Sequence, residues 1–319
     1  MNKEQQIIKS FFSPLANNKE SLGLKNDAAI LFKQKKMIVS SDMMIEGKHF
    51  DKGYDPKILA MKLLRINLSD IAAMGGDPYG YLLNIGLPKK KCTVWLKRFC
   101  EGLSTDMKKY KIKLFGGDLA SSPLIFLSAT IFGFMKNNFL INKKLTHDSQ
   151  IFVSGNLGDA AIGLNIKNNK IKKYPVGSKE YFLNKLYLPD PKIKIGKSLV
   201  GIVDFCTDIS DGISSELSKM INNTKLQANI FLPDIPTSNY TKQLIEDSVK
   251  KKQIWNLIVN GGEDYQLLFS VKPENINALK NKKIKNIKRI GFLEKGSGVK
   301  FYDKEKKKIN LSKKGFSHF

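Results

Sequence analysis

The chain is 319 residues long and 42% hydrophobic, with a formal net charge of +25, a length that suits about two domains. Its longest apolar stretch, Pro123–Met135, is shorter than the roughly 20 residues that cross a bilayer. Arginine stands only at Arg65, Arg98 and Arg289, so the positive charge is almost all lysine rather than the bidentate arginine that reads bases. The excess fits the Lys-, Asn- and Ile-rich bias of an AT-rich genome, with solvated turns at Lys89–Lys91 and Lys306–Lys308. Neither a nucleic-acid nor a membrane partner is expected. The first residues, MNKEQQIIKS, hold no apolar signal core, so a cytoplasmic protein is expected. Cys92, Cys100 and Cys206 form no CxxC pair, which suits ordinary thiols in a reducing compartment.

In chain order, KMIVSSDMMI (36–45) reads as a strand running into polar residues, and 55–74 as helix. In that helix Leu64, Leu68, Ile71 and Ala72 recur at helical spacing, and Gly75-Gly76 stops it. Asp70 lies beside this apolar stripe with Arg65 as its one basic neighbour. A strand at 81–87, an amphipathic helix at 93–110, and strands in IKLFGGD and LIFLSATIFGFM follow. The polar stretch 142–150 reads as a linker. The boundary is expected near 138–150, with an N-terminal domain over 1–140 and a C-terminal α/β domain over 149–319. Beyond it, IFVSGNLGDAAIGLNI reads as strand, glycine turn and helix, and PDPKIKIGKSLV opens another helix. DISDGISSELSKMI reads as a capped helix, NGGEDYQLLFSV as a turn into a strand, and 286–303 as short strands.

Acids are scarce, 29 against 54 Lys+Arg, yet several sit beside Gly, Ser or Asn. Asp27, Asp42, Asp70, Asp118, Asp208, Asp211, Glu263 and Asp264 form this set. Each alone suits a turn or a helix cap. Together they suit a metal–nucleotide site, because Mg²⁺ takes a few carboxylates plus substrate phosphates and glycine lets backbone amides approach phosphate oxygens. A P-loop is excluded: in the run leading to Gly196-Lys197-Ser198, Pro191 stands where the first glycine belongs. GNLGDAAIG lacks the GxGxxG pattern, and His49, His147 and His318 show no zinc spacing. No GxSxG is present.

Taken in order, NDAAIL, SSDMMIEGKHF, NLSDIAAMGGDP, LFGGD, VSGNLGDAAIGL, DISDGISSEL, GGEDYQLLF and KKGFSHF resemble the thiamine-monophosphate kinase family of the AIR-synthetase-related superfamily. The resemblance implies an α/β fold (α+β in strict usage) of two-domain AIR-synthetase-like architecture. In it the N-terminal sheet pairs across a homodimer. It implies ATP as co-substrate, several Mg²⁺ ions, and conversion of thiamine monophosphate to thiamine diphosphate, the last step in making that cofactor. By motif, the resemblance implies metal ligands at Asp27, Ser40, Ser41, Asp42, Asp70, Asp118, Asp208 and Asp211. It implies nucleotide contacts at Gly117, Asp118 and Ser210, and substrate contacts at His49, Glu263 and Phe316. No dedicated acid or base is expected, because the acceptor phosphate is already anionic.

The chain departs from the family pattern at three places. Lys25-Asn26-Asp27 stands for Gly-Asp-Asp, the linker arginine is absent where Lys143, Lys144 and His147 lie, and Lys313 replaces an aromatic residue. Other synthetases of the superfamily fit less well: a selenophosphate synthetase carries an early reactive Cys, whereas the first here is Cys92, and the hydrogenase-maturation relative ends in Cys rather than GFSHF. A non-enzymatic basic binding protein would explain the charge but not the ordered acids.

Overall fold

The computed structural model describes residues 6–21, 24, 31, 36–89, 92–135 and 145–311. The chain divides into two compact units, Met1–Ile71 with Gly76–Asn137, and Ala72–Gly75 with Asn138–Phe319. Asp27, Lys143, Lys144, Lys313 and Phe316 lie outside the described residues.

The first unit holds β1 (Met37–Ile45), α1 (Pro56–Ala73), β2 (Asp77–Leu87), α2 (Cys92–Tyr110), β3 (Lys113–Ser121) and β4 (Phe126–Phe134). Its sheet has the order β1-β4-β2-β3. The β1–β4 and β4–β2 pairs are antiparallel. The β2–β3 pair is parallel, joined through α2 as such a pair requires. Helix α1 starts on a proline, which suits a first-turn position that needs no N–H partner. Asp55 accepts the Lys57 amide at 2.8 Å just before it, and Gly75, at φ +68°, follows its end. Leu59, Leu63, Leu64, Leu68 and Ile71 are wholly buried, so α1 is a core helix.

Burial on β1 alternates with the period of two that a strand imposes. Ile38 and Met44 are buried, while Met37, Val39 and Met43 are 43%, 52% and 53% exposed on the other face. Strand β2 begins at Asp77, earlier than its apolar pattern suggests. Pro78 pairs with Gly133 of β4 beyond the point where β3 joins, so its missing N–H breaks no ladder.

The second unit holds β5 (Gln150–Ser154), α3 (Asp159–Lys167), α4 (Ser178–Tyr187), α5 (Ile193–Leu199), β6 (Phe205–Asp208), α6 (Ile213–Ile221), β7 (Leu226–Phe231), α7 (Asn239–Asp247), α8 (Lys251–Asn260), β8 (Leu267–Val271), α9 (Ile276–Asn281), β9 (Ile287–Lys295), β10 (Gly298–Tyr302) and β11 (Lys308–Ile309). Its sheet runs β11-β10-β7-β9-β5-β8-β6. Strand β8 is buried throughout. Leu268 enters one core with Ile209, Ile213 and Leu217. Leu267, Phe269 and Val271 enter another with Leu199 and Leu279. The sequence pattern does not announce β7, because Gln227 and Asn229 interrupt its apolar run. Both are buried, and the Gln227 amide donates to Asn229 Oδ1 at 2.7 Å. The expected cap of α6 is absent: Gly212 occupies the cap position and no side chain bonds there.

Candidate active site

The alternation on β1 decides which acids meet. Ser40 and Asp42 point toward α1; Ser41 points away, its hydroxyl against Thr130 Oγ1 at 2.9 Å and the Ala129 carbonyl at 3.3 Å. On α1, Asn67 and Asp70 are three residues apart and share a face. The Asn67 side chain accepts the Asp42 amide at 3.2 Å and donates to the Leu63 carbonyl at 2.9 Å, tying β1 to the helix. Ser40 Oγ donates to Asp70 Oδ2 at 2.5 Å. The Asp42 and Asp70 carboxyls are close enough to perturb each other's ionisation. Asn67 was not among the expected site residues; its i, i+3 spacing from Asp70 is the signal that could have found it.

The electrostatics follow from this packing. Burial and the neighbouring Asp70 carboxylate push Asp42 up to about 7. Burial also raises Asp70, against the hydrogen bonds from Ser40 and Asp42. Two carboxyls this close share a proton unless a cation takes its place. Arg65 is not that cation. It is buried and bidentate on Asp106 of α2, Nε at 2.7 Å and Nη2 at 3.0 Å. The Ser40–Asp42–Asp70 set is hard, oxygen-only and short of positive charge, which fits Mg²⁺. Among the described residues no three His, Cys, Asp or Glu side chains come together as a complete metal set.

His49 sits just past β1, its Nδ1 accepting the Ile45 amide at 3.0 Å, so the neutral ring carries its proton on Nε2. Asp118 is on β3, in register with Asn84, Ser128 and Met43. That row faces away from α1, and Asp118 itself lies three strands from β1, about 14 Å at the usual strand spacing. Gly117 has φ +152°, and a Cβ there would stand 1.8 Å from the Leu83 carbonyl oxygen. Only glycine lets β3 pass β2 at this point.

In the second unit the segments holding Asp208, Ser210, Asp211 and Glu263 lie side by side. Glu263 N donates to Ser210 O at 2.8 Å, Tyr265 N to Ile209 O at 2.9 Å, and Ile209 N to Gln266 O at 2.8 Å. A Cβ on Gly262 would lie 2.1 Å from Ser210 O, so glycine permits the approach. Asp208 ends β6 and is buried. Asp211 meets Lys219 Nζ at 3.0 Å, a largely solvated pair of small energetic worth.

Two further acids, Asp159 and Asp264, are buried at the head of α3. Asp159 accepts from Ser238, Thr241 and Tyr181 at 2.7, 2.7 and 2.8 Å. Asp264 Oδ2 accepts the Gly158 amide at 2.8 Å. The glycine turn of GNLGDAAIG thus gives its Gly158 amide to a carboxylate of the chain itself rather than offering it to a phosphate. Burial holds Asp264 well above the usual carboxylate range, against the Gly158 and Ala160 amides that favour its ionised form.

Residues 25–135 match the family model of the AIR synthase related protein, N-terminal domain. A solved structure of the hydrogenase maturation protein HypE in complex with ATP superposes with a TM-score of 0.78 at 14% identity, covering 98% of this chain and 95% of that one. Fold and acidic strand–helix pair together define a two-domain protein of the AIR-synthase-like class. Within that class the similarity is sharper. Thiamine-monophosphate kinase of Buchnera aphidicola (Schizaphis graminum) is 36% identical over 99% of this chain and 98% of its own length. That of Escherichia coli K12 is 31% identical over 86% and 85%. The solved structure of AaThiL complexed with AMPPCP and TMP gives a TM-score of 0.78 at 26% identity, covering 100% of this chain and 99% of that one. The chain belongs to the thiamine-monophosphate kinase family.

Proposed function

We infer that this chain transfers the γ-phosphoryl group of ATP to thiamine monophosphate, giving ADP and thiamine diphosphate. The observation that carries the reading is the Asp42–Asp70 carboxyl pair, fixed by Ser40 and Asn67, on a chain whose relatives carry this activity. Asp42 and Asp70, with Ser40 alongside, would hold Mg²⁺, and Asp27, Asp208, Asp211 and Asp118 are assigned as further ligands. When bound, the ions supply charge neutralisation for the phosphates that must be brought together.

The chain's own residues have the remaining tasks. The acceptor oxygen is anionic at neutral pH, so no side chain needs to abstract a proton. The reaction is chiefly positioning and electrostatic stabilisation. His49, with Nε2–H as its donor, suits the substrate phosphate. Glu263 suits the cationic rings, and Phe316 is assigned to stack on them. Ser210 and the Gly117–Asp118 turn are assigned near the nucleotide phosphates, Asp118 reaching them through a bound ion. Ser41, whose hydroxyl turns to Thr130, would serve a metal through its backbone carbonyl.

The reading extends to a homodimer in the cytoplasm, with the N-terminal domain over 1–140 and the C-terminal domain over 149–319. Strand β1 is a nine-residue edge strand with Met37, Val39 and Met43 exposed, a surface that isolated proteins usually blunt or cover. Asp42 and Asp118 lie on opposite faces of one sheet, three strands apart. A metal held by both is therefore completed by the partner's Asp118. The experiment is a mixing assay. Asp42→Asn and Asp118→Asn dimers are each inactive; after subunit exchange about a quarter of wild-type activity returns, because half the dimers regain one intact site. No recovery would place both residues of a site in one protomer.

A further inference from the structure

We propose that Asp264 is a positioning residue for substrate binding: its carboxylate fastens the Gly261–Gln266 loop to the head of α3 and so holds Glu263 in place. The proposal rests on the reading of Glu263 as a contact to thiamine monophosphate.

The loop has an unusual backbone. Glu263 and Tyr265, on either side of Asp264, sit at φ +73° and +47°. Non-glycine residues seldom adopt this left-handed region, and do so only where surrounding contacts over-determine the chain. Two of those contacts are the main-chain bonds from Glu263 N to Ser210 O and from Tyr265 N to Ile209 O. Both tie the loop to the DISDG segment alone. Two side chains reach the other way: Gln266 Oε1 accepts from Ser154 Oγ at 3.0 Å at the loop's end, and Asp264, between the two left-handed residues, accepts Gly158 N at 2.8 Å. Its location is itself fixed: Gly158, at φ +86°, packs with its Cα hydrogens toward Ile258, and a Cβ there would lie 2.7 Å from that side chain. Asp159, next in sequence, is pinned by Ser238, Thr241 and Tyr181.

Asp264 therefore links a rigid helix head to a left-handed loop bearing Glu263, the carboxylate assigned to the substrate. The side chain of Asp264 is buried and accepts amides of the chain, so it has no need to touch substrate. Without it, the loop keeps its bonds to Ile209, Ser210 and Ser154 but loses the anchor beside Glu263 that selects its strained conformation.

The test is steady-state kinetics with thiamine monophosphate varied at saturating ATP, together with Tm, for Asp264→Ala, Asp264→Asn and Glu263→Gln. Asp264→Ala is expected to raise KM for thiamine monophosphate about tenfold. Asp264→Asn, which keeps one oxygen acceptor for Gly158, is expected to return most of that loss. Should the alanine variant not fold, Asp264→Ser, whose hydroxyl is too short to reach Gly158, carries the same comparison. A lowered Tm with unchanged KM in the alanine or serine variant, while Glu263→Gln raises KM, overturns the positioning role alone. Unchanged KM in Glu263→Gln overturns the underlying reading of Glu263 and the proposal with it.

Discussion

Asp42 and Asp70 bring their carboxyls together between the edge strand β1 and the core helix α1, and burial makes both harder to ionise than a free carboxyl. This gives the metal-free protein a definite pH response. The unfolded chain ionises Asp42 near 4, whereas the folded chain keeps its proton up to about 7. Stability therefore falls as pH rises from about 4 to 7 and levels off above, since a raised carboxyl pKa penalises folding wherever only the unfolded state has lost the proton. Asp42→Asn removes the penalty: in EDTA its Tm should exceed wild type at pH 8 and match it near pH 4. Added MgCl₂ should reverse the order, stabilising wild type and leaving the variant unmoved. A wild type whose Tm ignores Mg²⁺ would remove this pair from the metal site.

Asp70→Asn should leave the fold intact and lower turnover by about 100-fold or more, the scale of removing one essential electrostatic group from a transition state. Circular dichroism checks the fold and a diphosphate assay the turnover. Activity within a few-fold of wild type would show that Asp70 is no ligand.

Arg65 and Asp106 form a buried, bidentate pair remote in sequence from each other. Arg65→Met leaves Asp106 buried and unpaired, and urea denaturation should show a loss of about 3–5 kcal/mol. The double variant Arg65→Met/Asp106→Leu should recover most of it. Equal loss in both would assign the effect to packing rather than charge.

Gly116 and Gly117 are adjacent, yet they should respond differently. An alanine at 116 meets only Leu82 Cδ2 at 3.7 Å, an ordinary contact, and should be neutral or stabilise by up to about 1 kcal/mol. An alanine at 117 collides with the Leu83 carbonyl oxygen in a left-handed backbone and should cost about 3 kcal/mol. Denaturant midpoints decide it; equal midpoints would mean that β3 can slide past β2.

What the sequence made legible follows from periodicity. The apolar spacing of α1 and the strand pattern of 36–45 place Asp70 on a helix and Ser40 and Asp42 on a strand, and the motif resemblance joins them as metal ligands; that strand and helix face each other comes from the fold. Two features escaped because they depend on three-dimensional partners. Asp70 reads as a neighbour of Arg65 along the helix, but Arg65 turns to Asp106 on α2 and leaves the acid pair without a counter-charge. Asp264 reads as a turn residue after glycine, and only the packing of that turn on α3 gives its carboxylate a task. Strand β7 is hidden for a related reason: its Gln227 and Asn229 are buried and find partners in each other, Glu294 and Tyr302, so they look polar in sequence and sit in the core.

The most direct measurement is product formation by the purified full chain with ATP, MgCl₂ and thiamine monophosphate, followed by chromatography. The account predicts stoichiometric ADP and thiamine diphosphate, no phosphorylation of unphosphorylated thiamine, and complete loss of product in excess EDTA. ATP turnover without thiamine diphosphate, or diphosphate formation undiminished by EDTA, would contradict it.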